Sequence, residues 1–471
     1  MAALLLTLNP LGYFGGHWDD GRYLEAALRG GIGTDHWALR WPVVAPTGIM
    51  IRLFGLSRGS LMFPGLITFA AVVTVNFWAI RQAFGVAVAV AACAALLSTP
   101  EIMRAATRLT ADLPELLFWS SSLWAWWFGR GGSARWLIAA GMLAGCAWAT
   151  RETGLALLLL FALVFIAGAG PPRRSYGWIA AGFLAVWLPE QLALYVATGD
   201  PLYRIHVDLR HIEIPSNDLA GGTAPGASAP LSGDLMRRWS GAGPIRLNWA
   251  VDPWLNLFAN VAYGLDFLLA ALGLAWARRW PRAGFLLLAL IAANLVTVVY
   301  IVATDAKPRM FMPAMGAACL LCAVAAVWLW PRARGLVASA AALKLAVLLV
   351  MLDVATSYAE LAPLTRTALR HAAGPVAVDR WTASSLHVAD AATQTRLTPM
   401  RAPFALTVGK LADYTGTDAP PPGAWQTAWR GHSARLPLTY RAARALGLVR
   451  APYPALYVTL YRARPAAILA R

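Results

Sequence analysis

The sequence contains little charge. Only 13% of its 471 residues are Asp, Glu, Lys or Arg, whereas 59% are hydrophobic and the mean hydropathy is +0.55. Soluble globular proteins carry about a quarter charged residues, so this composition excludes the ordinary soluble class. It indicates a protein that lies largely within a membrane.

Lysine is nearly absent. The only lysines are Lys307, Lys344 and Lys410, so the formal net charge of +17 comes almost entirely from arginine. A basic balance is also typical of nucleic-acid-binding proteins. Here the arginines lie largely between apolar runs, which favours membrane topology and contact with anionic lipid. No nucleic-acid partner is expected.

Cysteine is also scarce. The four cysteines all fall within apolar runs, where a thiol behaves as a small hydrophobic group: Cys93, Cys146, Cys319 and Cys322. The last two form a C-x-x-C pattern, but they lie one helical turn apart in AMGAACLLCAVAAVWLW. We interpret them as packing residues rather than as a redox or zinc pair.

Long apolar runs, by contrast, are abundant. A transmembrane helix needs about 20 mostly apolar residues. Such runs cover residues 62–80, 84–99, 112–128, 135–150, 154–170, 176–197, 256–277, 283–303, 310–330 and 335–352. Residues 1–14 are apolar but short, and they lack the basic start and the cleavage site of a signal peptide. We interpret them as a first span whose start lies further upstream. The predicted fold is therefore a polytopic helical membrane protein with about eleven spans.

The loops predict the orientation of these spans. Arginines recur in every second loop, which is the pattern of the cytoplasmic side: Arg81, Arg130, Arg135, Arg173, Arg174, Arg278, Arg279, Arg282, Arg332 and Arg334. The outer face then holds residues 15–60, with short amphipathic stretches typical of interfacial helices, and the long loop 198–255. We predict a helical transmembrane domain over residues 1–352 and a small extracytoplasmic α/β domain over residues 353–471.

Charged residues gather at the outer ends of the predicted spans, where ionisable groups are costly and therefore informative. Four sets are present: Asp19 and Asp20 in WDDGRYLEAALRG; Glu101, Arg104, Arg108, Asp112 and Glu115 in TPEIMRAATRLTADLPE; Arg151 and Glu152 in ATRETG; and Asp305, Lys307 and Arg309 in VATDAKPRMFMP. Each set alone also fits a solvated loop or a helix cap. Their convergence on one face predicts a polar site where the membrane meets water.

The order and spacing of these motifs resemble a known fold family. WDDGRYLEAALRGG, LRWPVVAPTGIMIRLFG, TRLTADLPELLFW, ATRETGLALLL and KPRMFMPAM follow one another as in the GT-C membrane glycosyltransferases. The similarity is greatest to the group containing the protein O-mannosyltransferases and the lipid A aminoarabinose transferase, and it covers about residues 1–330. It implies inverting transfer of a sugar from a polyprenyl-phosphate donor to an acceptor hydroxyl.

The resemblance also implies roles for individual residues. Asp19 matches the position of the family's catalytic base, and Asp20 replaces the usual Glu beside it; a carboxylate there accepts the proton of the attacking hydroxyl. Arginine suits the lipid phosphate because its planar guanidinium is permanently charged. The implied phosphate-binding residues are Arg40, Arg108, Arg151 and Arg309, and the implied pocket residues are Tyr23, Asp112 and His211.

This sequence departs from the family pattern at several of these positions. Trp41 replaces the first residue of the family's proline pair, and Met310 stands where the aromatic residue after Arg309 is usual. The alternative interpretation of Arg40 and Arg309 is as anchors that extend from the membrane toward water. The alternative for Arg151 is a cap in a tight turn.

His211 resembles a histidine that helps to hold a metal in the aminoarabinose transferase. The acidic partner there precedes the proline motif, where this chain has Arg40, and His206 and His211 do not have a usual helical ligand spacing. We therefore expect no cofactor, with a divalent metal as the open alternative. A hydrogen-bonded loop histidine, or a pocket histidine that contacts substrate, is the preferred interpretation of His211.

We expect a multi-pass protein of a bacterial inner membrane, because the preference for Arg over Lys and the richness in Ala, Gly and Arg indicate a GC-rich genome. The expected partners are a polyprenyl-phosphate-linked sugar and an acceptor lipid, protein or glycan. A transporter or flippase of lipid-linked sugars and an inactive envelope scaffold stay open as alternatives. Transporters typically use broken helices at the bilayer midplane, whereas this chain clusters its charge at one face, which favours the enzyme.

Overall fold

The computed structural model of this chain is mostly helical, with a small sheet near its C-terminal end. It describes residues 18–33, 35–213, 264–277, 284–293, 312–355, 361–378, 396–398, 402–408, 425–432, 438–447 and 457–464. The predicted first span and Arg309 lie outside these residues, as does most of the predicted loop 198–255. Asp19 and His211 lie within helices, but their side chains are outside the description.

Two helices occupy the predicted first outer loop: α1, Trp18–Arg29, and α2, Trp41–Phe54. They share a small core that includes Tyr23, Leu24, Val43 and Val44. On its other side, α2 exposes a set of large apolar side chains, Trp41, Ile49, Leu53 and Phe54. An exposed apolar stripe is typical of a helix that lies along a membrane surface.

The following helices form the main bundle. Their bounds are α3, Arg58–Phe84; α4, Val86–Leu97; α5, Pro100–Ala105; α6, Asp112–Gly129; α7, Ala134–Thr150; α8, Leu155–Ile166; α9, Tyr176–Thr198; and α10, Tyr203–Glu213. Short 3-10 turns, Glu152–Gly154 and Arg173–Ser175, precede α8 and α9. α3 begins with a capping box in which Ser57 and Ser60 each accept the other's backbone N–H, which satisfies two donors at the helix start.

Small residues allow α7 and α9 to pack backbone against backbone. A Cβ atom added at Gly141 would lie 2.0 Å from the carbonyl oxygen of Ile179, and one added at Gly182 would lie 2.1 Å from that of Ile138. Only glycine fits at such distances. Close contact through small residues is how helices associate in a membrane, where lipid is as apolar as leucine.

The later helices complete the bundle. They are α11, Gly264–Ala277; α12, Gly284–Ala293; α13, Met312–Leu329; and α14, Arg334–Ala355. Phe285 of α12 packs against Trp124, Trp126 and Trp127 of α6, with ring centroids 5.0–6.0 Å apart. The four cysteines carry free thiols, and three of them are buried in the helical core.

Where the structure describes the chain, each predicted span after residue 60 overlaps one of these helices. Within the described residues, three helices are long and apolar enough to cross a membrane by length and composition, Gly59–Phe84, Arg173–Thr198 and Met312–Leu329, and others are shorter. The prediction of a helical membrane protein is thereby supported, whereas the number of about eleven spans stays a prediction.

The tail contains an α/β unit. Helix α15, Leu361–Arg370, packs on a five-stranded sheet formed by β1, Val376–Val378; β2, Leu397–Thr398; β3, Phe404–Val408; β4, Trp425–His432; and β5, Tyr457–Ala463. The strand order is β2-β1-β3-β5-β4: β1 is parallel to β2 and β3, and β5 is antiparallel to β3 and β4. Helix α16, Leu438–Ala445, separates β4 from β5 in the chain. The sheet lies inside the predicted domain 353–471.

Candidate functional site

Buried arginines and carboxylates converge at one end of the helical bundle. They come from α1, from the residue before α2, from the segment between α5 and α6, from the first turn of α6, and from the junction of α7 and α8. Local structure explains the last of these positions. Arg151 ends α7 in an extended conformation, at φ −161°, and the chain turns so tightly that a Cβ atom at Gly154 would lie 2.3 Å from the backbone nitrogen of Trp148. The turn therefore holds Arg151 and Glu152 at the end of the bundle.

Asp20 and Arg108 form the first ion pair of this cluster. The Nε and Nη2 atoms of Arg108 both donate to Oδ2 of Asp20 at 3.2 Å. Asp20 is 1% exposed, so this contact lies out of bulk water, where charge-assisted hydrogen bonds are strongest. The pair connects α1 to the segment that leads into α6.

Arg40 bridges two further groups. Its Nη1 atom donates to the hydroxyl of Tyr23 at 2.7 Å, and its Nη2 atom donates to Oε2 of Glu152 at 3.1 Å. Arg40 and Tyr23 are both buried. The guanidinium of Arg40 therefore joins α1 to the turn after α7.

Arg151 contacts two carboxylates of α6. Its Nη1 atom donates to Asp112 and lies 3.7 Å from Oε2 of Glu115. Hydroxyl groups complete this part of the cluster, since Thr110 donates to Asp112 and Thr153 donates to Glu115. Asp112 begins α6, where a carboxylate also interacts favourably with the helix dipole.

The positive and negative side chains of the cluster compensate each other's charge. Burial alone acts to raise the pKa of Glu152, but the neighbouring guanidinium groups of Arg40 and Arg151 outweigh it and lower that pKa well below its ordinary value. Glu152 is therefore ionised at neutral pH and keeps both arginines compensated. Paired charges of this kind are the condition under which buried ions are tolerated.

A further buried arginine, Arg204 of α10, joins this cluster from the side. It donates to Glu190, to the carbonyl oxygen of Leu39 at 3.3 Å and to that of Trp148 at 2.8 Å. Its Nε atom lies 3.7 Å from Oδ2 of Asp208. Through these contacts, Arg204 fixes the start of the predicted long outer loop against the site.

Asp208 is a pH-sensitive member of this group. Burial, followed by the Glu152 carboxylate, raises the pKa of Asp208 to about 6, although Arg204 and Arg40 act in the opposite direction. Asp208 thus changes charge close to physiological pH, unlike Glu152.

The structure brings together most of the residues that the sequence predicts for the site. These are Asp20, Tyr23, Arg40, Arg108, Asp112 and Arg151. Their proposed roles stay predictions. The side chains of Asp19 and His211 and the whole of Arg309 lie outside the described residues, so their predicted places in the site stay predictions too.

One buried polar network was missed in the sequence. Lys344 of α14 donates to Asp266 of α11 and, at 3.0 Å, to Oγ1 of Thr99, which itself donates to Oδ2 of Asp266 at 3.2 Å. The signal that identifies it is the single acidic residue in GLDFLLAALGLAWA, Asp266, and the lysine in the middle of RGLVASAAALKLAVLLVMLDVA, Lys344, both within apolar helices. Lone charges in such helices usually face a partner.

In the part of the chain that the structure describes, no three His, Cys, Asp or Glu side chains come together as a metal-binding group. His211 does not enter this comparison, because its side chain is outside the description. The predicted independence from metal is left as an expectation.

Comparisons with known proteins identify the fold. Residues 43–190 match the family model described as dolichyl-phosphate-mannose-protein mannosyltransferase. No curated protein matched the sequence. The crystal structure of ArnT from Cupriavidus metallidurans bound to undecaprenyl phosphate is similar over 98% of this chain and 97% of that one, with 17% identity and a TM-score of 0.54.

Two further solved structures are similar to the chain. The apo state of the same ArnT has 16% identity and a TM-score of 0.50, over the same 98% and 97% of the two chains. The apo oligosaccharyltransferase of Archaeoglobus fulgidus is similar over 76% of this chain and 56% of that one, with 14% identity and a TM-score of 0.48. From its helical bundle and C-terminal sheet, and from its similarity to ArnT, this chain has the fold of the GT-C membrane glycosyltransferases, and the resemblance seen in its motifs is confirmed.

Proposed function

We propose that this chain transfers a sugar from a polyprenyl-phosphate donor to an acceptor hydroxyl on the extracytoplasmic face of the membrane, with inversion at the anomeric carbon. The observation that carries the proposal is the buried cluster of arginines and carboxylates at one end of the bundle. The match of residues 43–190 to a mannosyltransferase family model and the undecaprenyl phosphate bound by ArnT support it.

The arginines suit the leaving group of this reaction. A lipid phosphate departs with negative charge, and positioned guanidinium groups in a site that excludes water stabilise such charge as it develops. In the described structure, Arg40 is compensated by Glu152, and Arg151 by Asp112 and Glu115. Donor binding therefore requires these arginines to exchange some of their hydrogen bonds to carboxylates for hydrogen bonds to the phosphate.

The carboxylates at the start of α1 suit the acceptor side. The acceptor oxygen forms a bond to the anomeric carbon, its proton passes to a carboxylate, and the bond from that carbon to the phosphate oxygen breaks with its electron pair on the phosphate. Asp20 is engaged by Arg108, so we assign the proton to Asp19 and a supporting role to Asp20.

The test is sugar transfer by the full chain reconstituted in vesicles, with undecaprenyl-phosphate-linked sugars as donors. Asp19→Asn is expected to lower the transfer rate by about a hundredfold or more, which is the usual contribution of a general base. Binding of undecaprenyl phosphate should be unchanged. Asp200→Asn is the matched control, because Asp200 pairs with the exposed His206 instead of an arginine of the cluster.

Two results would contradict the proposal. Full transfer by Asp19→Asn would refute the assignment of the base. Movement of the intact donor across the vesicle membrane, without release of the lipid phosphate, would instead show a flippase.

A further inference from the structure

Arg204 of α10 is a buried arginine to which the proposed reaction assigns no role. It is 1% exposed and is among the largest fully buried side chains of the described residues. Its neighbours on α10, Tyr203 and Val207, pack against Leu39 and Leu194. The guanidinium is therefore shielded from ligands in water, and its role lies in the groups that it contacts inside the protein.

Two of these contacts reach the backbone beside the predicted phosphate-binding arginines. The Nη1 atom of Arg204 donates to the carbonyl oxygen of Leu39 at 3.3 Å, and its Nη2 atom donates to that of Trp148 at 2.8 Å. Leu39 directly precedes Arg40, and Trp148 lies three residues before Arg151. One guanidinium therefore joins the two backbone segments that carry Arg40 and Arg151.

The contact with Trp148 also completes the end of α7. Trp148 lies in the last turn of that helix, and the last carbonyl groups of an α-helix have no partner within it. A cation at this end also interacts favourably with the helix dipole. The guanidinium carbon of Arg204 lies 5.0 Å from the centre of the Trp148 ring, which adds a cation–π contact. Arg204 therefore fixes the end of α7, from which Arg151 extends.

Other contacts hold Arg204 itself in place. Its Nη1 atom also donates to Glu190 of α9, and its Nε atom lies 3.7 Å from Oδ2 of Asp208. The hydroxyl of the adjacent Tyr203 donates to the carbonyl oxygen of Gly33 at 3.1 Å. Because the guanidinium is planar and its donors form a rigid fork, a fixed Arg204 also fixes the two carbonyl groups relative to each other.

We infer that Arg204 is a positioning residue, which sets the distance and orientation between Arg40 and Arg151 so that both contact one donor phosphate. These two arginines belong to separate elements, the connection before α2 and the end of α7. A misplacement of about 1 Å in such a group can lower a reaction rate by about a hundredfold. The consequence for the donor rests on the proposed function, whereas the effect of Arg204 on the two segments does not.

The test compares two variants of the full chain, purified in detergent and measured at pH 8. The triple variant, Arg204→Met with Glu190→Gln and Asp208→Asn, removes both carbonyl contacts together with the neighbouring charges, so that neither carboxylate is left without its arginine. The two-carboxylate control, Glu190→Gln with Asp208→Asn, keeps the bonds from Arg204 to Leu39 and Trp148. Both variants carry more net positive charge than the wild type, so weaker phosphate binding in the triple variant cannot come from lost charge.

Titration calorimetry with undecaprenyl phosphate separates positioning from a general loss of structure. The triple variant should bind it at least tenfold more weakly, whereas the two-carboxylate control should bind it at least as tightly as the wild type. Partial unfolding would instead lower the number of binding sites and leave the Kd of the remaining sites unchanged. In the transfer assay, the triple variant should raise KM for the donor, whereas a loss of folded protein lowers kcat alone.

Amide hydrogen exchange provides a readout that does not depend on the ligand. The N–H groups of Val43 and Gly154 donate to the carbonyl oxygens of Arg40 and Arg151, each at 2.9 Å. In the triple variant, peptides that contain these groups should exchange faster than in the wild type and in the two-carboxylate control. Peptides from α13 should exchange at the wild-type rate.

The inference is overturned if the triple variant keeps the wild-type Kd, or if the two-carboxylate control loses as much affinity. Faster exchange spread evenly over the bundle would also overturn it, because Arg204 would then stabilise the fold in general. If the triple variant does not fold, Arg204→Lys replaces it, since lysine keeps the charge but has one nitrogen in place of two Nη atoms; wild-type affinity there is equally contrary. If the wild type itself does not bind undecaprenyl phosphate, the proposed function fails, and hydrogen exchange alone decides the role of Arg204.

Discussion

At the scale of single residues, the site depends on which partner each arginine has. Arg40 contacts both a neutral hydroxyl and a carboxylate, whereas Arg108 and Arg151 contact carboxylates. The hydrogen bond to Tyr23 can hold the guanidinium of Arg40 in place while its hydrogen bond to the Glu152 carboxylate is replaced by one to the donor phosphate. Arg40 is therefore the residue at which we expect donor binding to be most easily altered.

Tyr23→Phe tests this expectation. The change removes the acceptor of a 2.7 Å hydrogen bond from buried Arg40, and such bonds to charged groups contribute about 1.5–3 kcal/mol. We expect about tenfold weaker binding of undecaprenyl phosphate, measured by calorimetric titration. Tyr195→Phe is the control, because Tyr195 is half exposed on α9. Equal affinities in wild type and Tyr23→Phe would show that this tyrosine does not position Arg40.

Asp208 provides a prediction about pH. Its pKa is raised to about 6 from an ordinary 3.8, so the folded chain binds this proton more tightly than the unfolded chain does. The ionised carboxylate therefore opposes folding above pH 6, and this cost is relieved as the pH falls from 6 toward 4. Beside it lie Glu152, Glu190, Arg204 and Arg40.

We accordingly expect Asp208→Asn to raise Tm at pH 8, with the gain over the wild type disappearing near pH 4. Thermal unfolding across this range provides the measurement. Asp35→Asn is the control substitution, because the carboxylate of Asp35 accepts a backbone N–H from Ala38 that an amide oxygen also accepts. A constant difference at all pH values would contradict the assignment of the titration to Asp208.

At the scale of helices, the network of Thr99, Asp266 and Lys344 joins three separate elements. Thr99 directly precedes α5, Asp266 belongs to α11, and Lys344 belongs to α14. Asp266 is 2% exposed and Lys344 is 8% exposed. A buried pair costs a great deal to break on one side, because the remaining charge has no compensation.

We predict that substitutions of Lys344 and Asp266 have strongly non-additive effects on stability. Lys344→Met alone should lower the free energy of unfolding by about 3–5 kcal/mol, and Asp266→Asn alone should also be destabilising. The loss in free energy of unfolding of the double variant should be smaller than the sum of the two single losses, because no uncompensated charge remains. Thermal unfolding in detergent, analysed as a double-mutant cycle, provides the measurement. Leu345→Met, on an exposed position of α14, is the control, and additive losses would refute the coupling.

At the scale of the whole molecule, the two ends of the helical bundle carry different sets of charged residues. Paired carboxylates and arginines lie at the end of the bundle that holds the start of α6, whereas Arg130 and Arg173 lie in the connections at its other end. This polarity is what the alternation of basic loops predicts. The orientation in the membrane stays a prediction.

Cysteine labelling tests that orientation. Pro201 lies in the turn before α10, and Gly131 lies in the connection after α6, and both are exposed. In bacterial spheroplasts, with half-buried Cys146 replaced by Ala, a membrane-impermeant maleimide should label Pro201→Cys directly. Gly131→Cys should be labelled only after permeabilisation. The reverse result would place the carboxylate–arginine cluster on the cytoplasmic side.

The sequence by itself determined the helices and the ends at which charge collects. Apolar runs long enough to be spans, and arginines that recur in alternate loops, are local properties of the sequence. In the described part of the chain, each such run after residue 60 contains a helix. The motifs around Asp20, Arg40, Arg108 and Arg151 also indicated one common face, because successive spans return the chain to the same side.

Only the tertiary structure decided which groups pair. Arg40 and Glu152 are 112 residues apart, Arg108 and Asp20 are 88 apart, and Lys344 and Asp266 are 78 apart. The strand order β2-β1-β3-β5-β4 is equally non-local. Hydropathy acts over one helix length and selects the type of element, whereas a buried ion pair depends on how distant helices pack, and no local pattern contains that information.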